Sequence, residues 1–232
     1  MSLSRGCRVA AVLAATLAAA ACSRTSQETL RTSPPPAPGG DGLLSAVDQA
    51  RADSARYPYT PADIRFMSGM ITHHAQAIVM AGWAPSHGAS ASVRTLCERI
   101  INAQQDEIVT MQRWLRDRRQ PVPEADTTTM AMTMPMPGGG HEMLMPGMLT
   151  DAQMQQLNQA RGPEFDRLFL TFMIQHHRGA VSMVRQLFGS YGAAQDEIVF
   201  KLASDINVDQ TTEIARMERM LAALALGISS PG

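Results

Sequence analysis

Met70-Ile71-Thr72-His73-His74-Ala75-Gln76-Ala77 and Met173-Ile174-Gln175-His176-His177-Arg178-Gly179-Ala180 are two copies of one helical stretch. Aligning His73 with His176 also superposes Asp63 on Asp166, Phe66 on Phe169 and Met80 on Met183, all with a single offset. A shift of three more residues, for a longer loop, brings Ile100, Gln104, Glu107, Ile108, Met111 and Leu115 onto Ile206, Gln210, Glu213, Ile214, Met217 and Leu221. A helix-loop-helix unit is therefore present twice. Each hairpin carries one apolar face, and two such faces bury each other most simply as a four-helix bundle. The expected fold is all-α, a four-helix bundle of two duplicated αα-hairpins. No alternating strand pattern appears, and aromatic residues, at 5%, are too few for a β-sandwich core.

Punctuation residues set the element ends. Thr60-Pro61-Ala62-Asp63 starts the first long helix, with Thr60 as N-cap, Pro61 at the first helical position and Asp63 as first-turn negative charge. This helix is expected to reach about Trp83, and the second to run from about Ser90 to Arg119 before Pro121 and Pro123 stop it. Thr150 caps a short helix over Asp151 to Gln159, Gly162-Pro163 opens the third long helix to about Phe188, and the fourth fills most of Asp196 to Leu226. The helical domain thus spans 59–226, with a Met-, Pro- and Gly-rich linker at 120–149.

The N-terminal segment has a different chemistry. Residues 1–22 place Arg5 and Arg8 before an apolar run from Val9 to Ala21, the layout of a secretory signal, and that run is too short for an ordinary transmembrane helix. Ala19-Ala20-Ala21-Cys22-Ser23 resembles a bacterial lipobox, with Ala19 where a larger aliphatic residue is usual, so Cys22 is the expected lipidation site. The alternative is an ordinary cleaved signal with an incidental cysteine. Residues 23–58, polar and bearing Pro34-Pro35-Pro36-Ala37-Pro38, read as a tether from the membrane. The expected location is the extracytoplasmic face of the cell envelope. Cys97 is then the one thiol in the mature domain, which excludes an intramolecular disulfide, and its neighbours Val93, Leu96 and Ile100 suggest a small buried hydrophobe rather than a ligand. A net charge of −1 offers no electrostatic case for nucleic acid. Arg113, Arg116, Arg118 and Arg119 cluster at a helix C-terminus, where the helix dipole accounts for them. A homo-oligomer is left open.

Phe66, Met70, His73, Ala77 and Met80 recur at helical spacing, as do Phe169, Met173, His176, Ala180 and Met183, so His73 and His176 point to the bundle axis. His74 and His177 lie about 100° further round, near the helix seams. Gln104, Glu107 and Met111, with Gln210, Glu213 and Met217, add to the same interior, Glu107 being expected level with Met70 and His73. Buried unpaired imidazoles and carboxylates are costly, so these groups must either pair among themselves or hold a ligand. Imidazole with thioether suits soft or borderline ions, Cu(I), Ag(I) and Cu(II) foremost. The candidate ligands are Met70, His73, His74, Met80, Glu107, Met111, Met173, His176, His177, Met183, Glu213 and Met217.

The linker supplies a second candidate set. Met130, Met132, Met134 and Met136 alternate with small residues, and His141, Met143, Met145 and Met148 follow. A disordered segment has no packing reason for so many oxidisable thioethers, and capture of a soft metal would supply one; compositional drift is the alternative.

The motif Asp63-x-x-Phe66-x-x-x-Met70-Ile71-x-His73-His74-x-x-Ala77-x-x-Met80, its copy through Met183, and Gln104-Gln105-x-Glu107-Ile108-x-x-Met111-x-x-Trp114 resemble the bacterial family of domains of unknown function numbered 305, which includes CopM-like copper-binding proteins. The resemblance covers Thr60 to Ala223 and implies a ferritin-like helical fold and, for some members, copper or silver binding by Met and His. Gln210-Thr211-Thr212-Glu213 departs from the pattern by lacking the second Gln and the acidic residue of the first half.

Three functions compete. The leading one is an envelope-tethered copper- or silver-binding protein for sequestration or tolerance, without catalysis. A structural or interaction bundle would instead close its His/Glu network without metal. A ferritin-like dimetal oxidase would need Glu-x-x-His repeats, and Glu98, Glu107, Glu197 and Glu213 are each followed three residues later by another residue type.

Overall fold

A computed structural model of the chain describes residues 58–125 and 144–227, together with Asp48 and Ala52. The expected signal peptide with Cys22, nearly all of the expected tether at 23–58, and the linker residues Met130, Met132, Met134, Met136, His141 and Met143 lie outside the described residues. Among the described residues the fold is all-α. It comprises α1 (Pro61–Gly82), α2 (Ala91–Asp117), α3 (Asp151–Gln159), α4 (Pro163–Phe188) and α5 (Glu197–Ala225). None of these helices is long and apolar enough to cross a membrane.

The helix starts follow from side chains that satisfy orphan backbone N–H groups. Thr60 and Asp63 form a reciprocal capping box on α1, and Thr150 and Gln153 do the same on α3. Ser90 caps α2, and Asp196 caps α5 by accepting from the N–H groups of Ile198 and Val199. Pro163 occupies the first turn of α4, where its missing N–H costs nothing. The observed helices depart from the expected bounds by no more than two residues at either end.

The two hairpins, α1–α2 and α4–α5, meet mainly through α1 and α4. The expected bundle thus takes the form of two tight hairpins joined along one central pair of helices, with α2 and α5 each packed chiefly on its own hairpin partner. The apolar interior is split in two. One cluster gathers Ala77 and Met80 of α1, Leu96 and Ile100 of α2, Phe165, Phe169 and Met173 of α4, and Met217 of α5. The other gathers Phe66 and Met70, Met111 and Trp114, Met183 and Leu187, and Ile206. The first half of α1 therefore lies with the second half of α4, so the central helices run antiparallel. Complete burial of large side chains such as Phe165, Phe169 and Trp114 contributes roughly 1.5–3 kcal/mol each.

Two details were not legible from spacing. Arg118, read as a dipole partner, is buried; its guanidinium reaches Asp196 at 2.5 Å and lies over the Trp114 ring at 4.4 Å. Asp196 also accepts from the Trp114 indole N–H, so one carboxylate ties the end of α2 to the start of α5. The second detail lies at the end of the expected linker at 120–149. Its last residues, Met145 to Leu149, form a strap across α1 and α4, because Gly147 and Gly179 allow backbone to lie on backbone: a Cβ on Gly179 would sit 1.9 Å from the Pro146 oxygen.

Candidate metal centre

On each of the four long helices the apolar run changes cluster at one level, and polar residues occupy that level. They are His73 and His74 on α1, Gln104 and Glu107 on α2, His176 and His177 on α4, and Gln210 and Glu213 on α5. The histidines are fully buried. The rings of His73 and His176 face each other with centroids 3.8 Å apart at 39°, as their shared stripe position requires. His74 and His177 turn outward to their hairpin partners: His177 Nε2 lies 2.7 Å from Glu213 Oε2 in an aligned hydrogen bond. His74 Nε2 is also 2.7 Å from Glu107 Oε2, but off the hydrogen-bond direction. Glu107 thus serves His74, not the expected level of Met70 and His73.

Burial dominates the protonation chemistry. His73 is pushed down to about 3, first by loss of water and then by the His74 imidazole, against a smaller opposing effect of a hydrogen bond to Pro146. His176 is held well below the ordinary value by burial and by the imidazoles of His73, His177 and His74. His177 is lowered by burial although Glu213 pulls the other way. These rings are neutral at physiological pH, and neutral imidazole is a metal ligand. Their nitrogens are conspicuously underused: Nδ1 of all four histidines, and Nε2 of His74 and His176, are buried without a hydrogen-bond partner. The Gln104 amide and the Gln210 oxygen beside them are unpartnered as well. A closed polar network leaves no such surplus.

The other expected ligands are placed less directly. Met70, Met111 and Met183 pack into one apolar cluster and Met80, Met173 and Met217 into the other, flanking the histidine layer on its two sides. Of the linker set, Met145 is half-buried and shares a cavity of about 350 Å³ with Met183, while Met148 is buried against Ala75. Among the described residues, no three His, Cys, Asp or Glu side chains form a group able to hold a metal ion. The His73 and His176 imidazoles, tilted at 39° between two apolar clusters that each hold three of the expected methionines, are donor types that suit soft or borderline ions. Cys97 takes no part, being buried with its thiol pushed far up by desolvation and by Asp166. Between α2 and α5, Asp106, Glu107, Asp205 and Asp209, with Lys201 paired to Asp205, line an open groove of about 470 Å³, and the Asp209 carboxyl is raised by partial burial and by Glu107, Glu213 and Asp205.

Sequence reasoning missed Gln76, whose side chain holds both backbone groups of Leu149, and Pro146, whose carbonyl meets His73. The glycine pair Gly147 and Gly179 was the available signal. His87, read as a loop residue, is buried on Trp83 and bonded to the Asn158 carbonyl, a structural role.

The sequence profile of DUF305, a domain of unknown function, matches residues 63–221, which contain both hairpins and all four buried histidines. The chain belongs to the DUF305 family. Among solved structures, DUF305 proteins share this fold. A Streptomyces coelicolor member described as secreted is 27% identical, with 74% of this chain and 97% of that one covered and a TM-score of 0.59. A DUF305 fragment from Deinococcus radiodurans is 30% identical over 71% and 98%, with a TM-score of 0.58. CopM in its Cu(II)-bound form is 29% identical over 69% and 95%, with a TM-score of 0.51, and its Cu(I)-bound form matches at 28% and 0.50. No functionally curated protein matches the sequence.

Proposed function

We propose that this DUF305 protein is an exported, membrane-tethered copper- or silver-binding protein that sequesters soft metal through the buried histidine layer, without catalysis. The observation that carries the reading is the surplus of unpartnered imidazole nitrogens between two methionine-bearing apolar cores. Likeness to CopM, solved with Cu(II) and Cu(I), supports it from outside the chain. The acidic groove would concentrate cations beside Glu107. The signal-like N-terminus, the Cys22 lipobox and the secreted relative support export and anchoring. The methionines of residues 130–143 would act as an outer capture segment, with the bundle as the retaining site.

Titrating metal-free protein with Cu(I) or Ag(I) tests this directly. Ligand at a hundredfold excess over Kd stabilises the fold by about 2.7 kcal/mol. The paired variant His73→Ala/His176→Ala is expected to lose most of that gain. Equal gains in wild type and variant would remove the histidine layer from the reading, and no gain in either would remove the reading. Anchoring is checked separately by the mass of the N-terminal peptide and by release of Cys22→Ser from the membrane fraction.

A metal-free structural role is favoured for one pair only, because His177 and Glu213 close on each other in an aligned bond. Glu213 and His177 would then brace the layer while His73 and His176 ligate.

A further inference from the structure

The duplication that relates the hairpins is broken at the strap. His73 Nε2 lies 3.0 Å from the Pro146 carbonyl oxygen, whereas neither ring nitrogen of its counterpart His176 has a hydrogen-bond partner. A carbonyl only accepts, so Nε2 of His73 carries the ring proton and the lone pair resides on the buried, unpartnered Nδ1. The carbonyl is held in place without help from any imidazole. Gln76 donates to the Leu149 carbonyl at 3.1 Å and accepts from the Leu149 N–H at 2.8 Å. Gln175 donates to the Gly147 carbonyl at 3.3 Å, and the Gly147–Gly179 crossing sets the height of Pro146 over α4. His176 has no strap carbonyl to fix it: it meets the face of His73, 3.8 Å away, and the His73 backbone outside hydrogen-bond geometry.

We infer that the strap is a positioning device for the metal site: the Pro146 carbonyl commits His73 to bind a soft monovalent cation through Nδ1, and the ring of His176, which no strap carbonyl fixes, turns to supply the second nitrogen. This rests on the metal-binding reading and specifies its donor atoms. A ligating imidazole whose other N–H is given to a carbonyl is fixed in tautomer and orientation and made more basic. Two nitrogens suit Cu(I) or Ag(I), which accept few donors. The linker occurs once in the chain, so a single strap makes two equivalent histidines unequal, one a fixed donor and one a movable donor.

Long-range proton–nitrogen spectra of the full ¹⁵N-labelled chain, metal-free and with Ag(I), test the inference. Metal-free protein should show His73 as the Nε2–H tautomer. Ag(I) should then shift Nδ1 of His73 and one nitrogen of His176, each with a one-bond silver–nitrogen coupling, and leave Nε2 of His73 protonated. Gly179→Ala forces the strap off Pro146's position without touching a ligand; the His73 tautomer should become mixed and Ag(I) affinity fall about tenfold or more. If Gly179→Ala does not fold, Gln76→Ala frees the Leu149 end of the strap without adding an atom. Silver coupling at Nε2 of His73, or wild-type tautomer and affinity in a folded strap variant, would overturn the inference. Saturable Ag(I) binding that moves no imidazole nitrogen overturns it while leaving a metal-binding protein, and the absence of any Ag(I) binding takes down both.

Discussion

Asp63 in the first turn of α1 accepts a hydrogen bond from the backbone N–H of Ala194, in the loop before α5, at 2.7 Å. The same carboxylate accepts from the Thr60 N–H and hydroxyl, so a buried charge is surrounded by donors. Asp166, its duplicate in α4, accepts from the Ser90 N–H at 3.2 Å at the start of α2. Each hairpin thus latches the loop of the other. Asp63→Ala should cost about 2–3 kcal/mol, more than loss of a helix cap alone at about 1 kcal/mol, because Ala194 is held at a φ of 56° by that bond. Urea unfolding measures the difference; a loss no larger than that of a cap would contradict the latch.

Acid should loosen the metal-free protein before its carboxylates protonate. His73 is held at about 3, and His176 and His177 are also held below the 6.5 they regain on unfolding. Between those values the unfolded chain binds more protons, so stability is complete above pH 6.5 and drains as pH falls through that window. The loss is up to about 1.4 kcal/mol per pH unit for each histidine. Urea midpoints at pH about 7, 6 and 5 should fall in order, and a flat series would mean that these imidazoles are not buried and neutral.

The two histidine–glutamate pairs have equal spacing and different alignment, which makes them an internal comparison. Both glutamates are similarly exposed, at 15% and 16% of the side chain. Glu213→Ala is expected to destabilise by about 1–3 kcal/mol, and Glu107→Ala by less, since only the former removes an aligned bond to a buried ring. Equal losses in thermal unfolding would show that alignment does not matter here.

Gly147 has a φ of 78°, and a Cβ there would lie 2.6 Å from the Gln175 carbonyl oxygen, on a helix backbone that cannot yield. Gly147→Ala should therefore detach the strap and lower Tm by several degrees, about 2–4 °C per kcal/mol for a chain of this size. Limited proteolysis should show new cleavage near Met145 to Leu149. An unchanged cleavage pattern would show that the strap tolerates a side chain.

The helices and the duplication were legible in the sequence because they depend on short-range rules. Apolar spacing picks the buried face, and Thr60, Ser90, Thr150 and Asp196 mark where helices begin. The same periodicity placed His73 and His176 inward, and the close approach of their rings follows from it. What no local rule could reveal was which groups separated by long stretches of chain would meet. The choice of His74 as the partner of Glu107, the burial of Arg118 on Asp196 and the strap over His73 each depend on how α1 and α4 cross and on a backbone contact between two glycines. Sequence determined that four imidazoles enter the interior of an all-α protein; only the tertiary structure decided which of their nitrogens are already engaged, because that is set by where distant carbonyls and carboxylates come to rest.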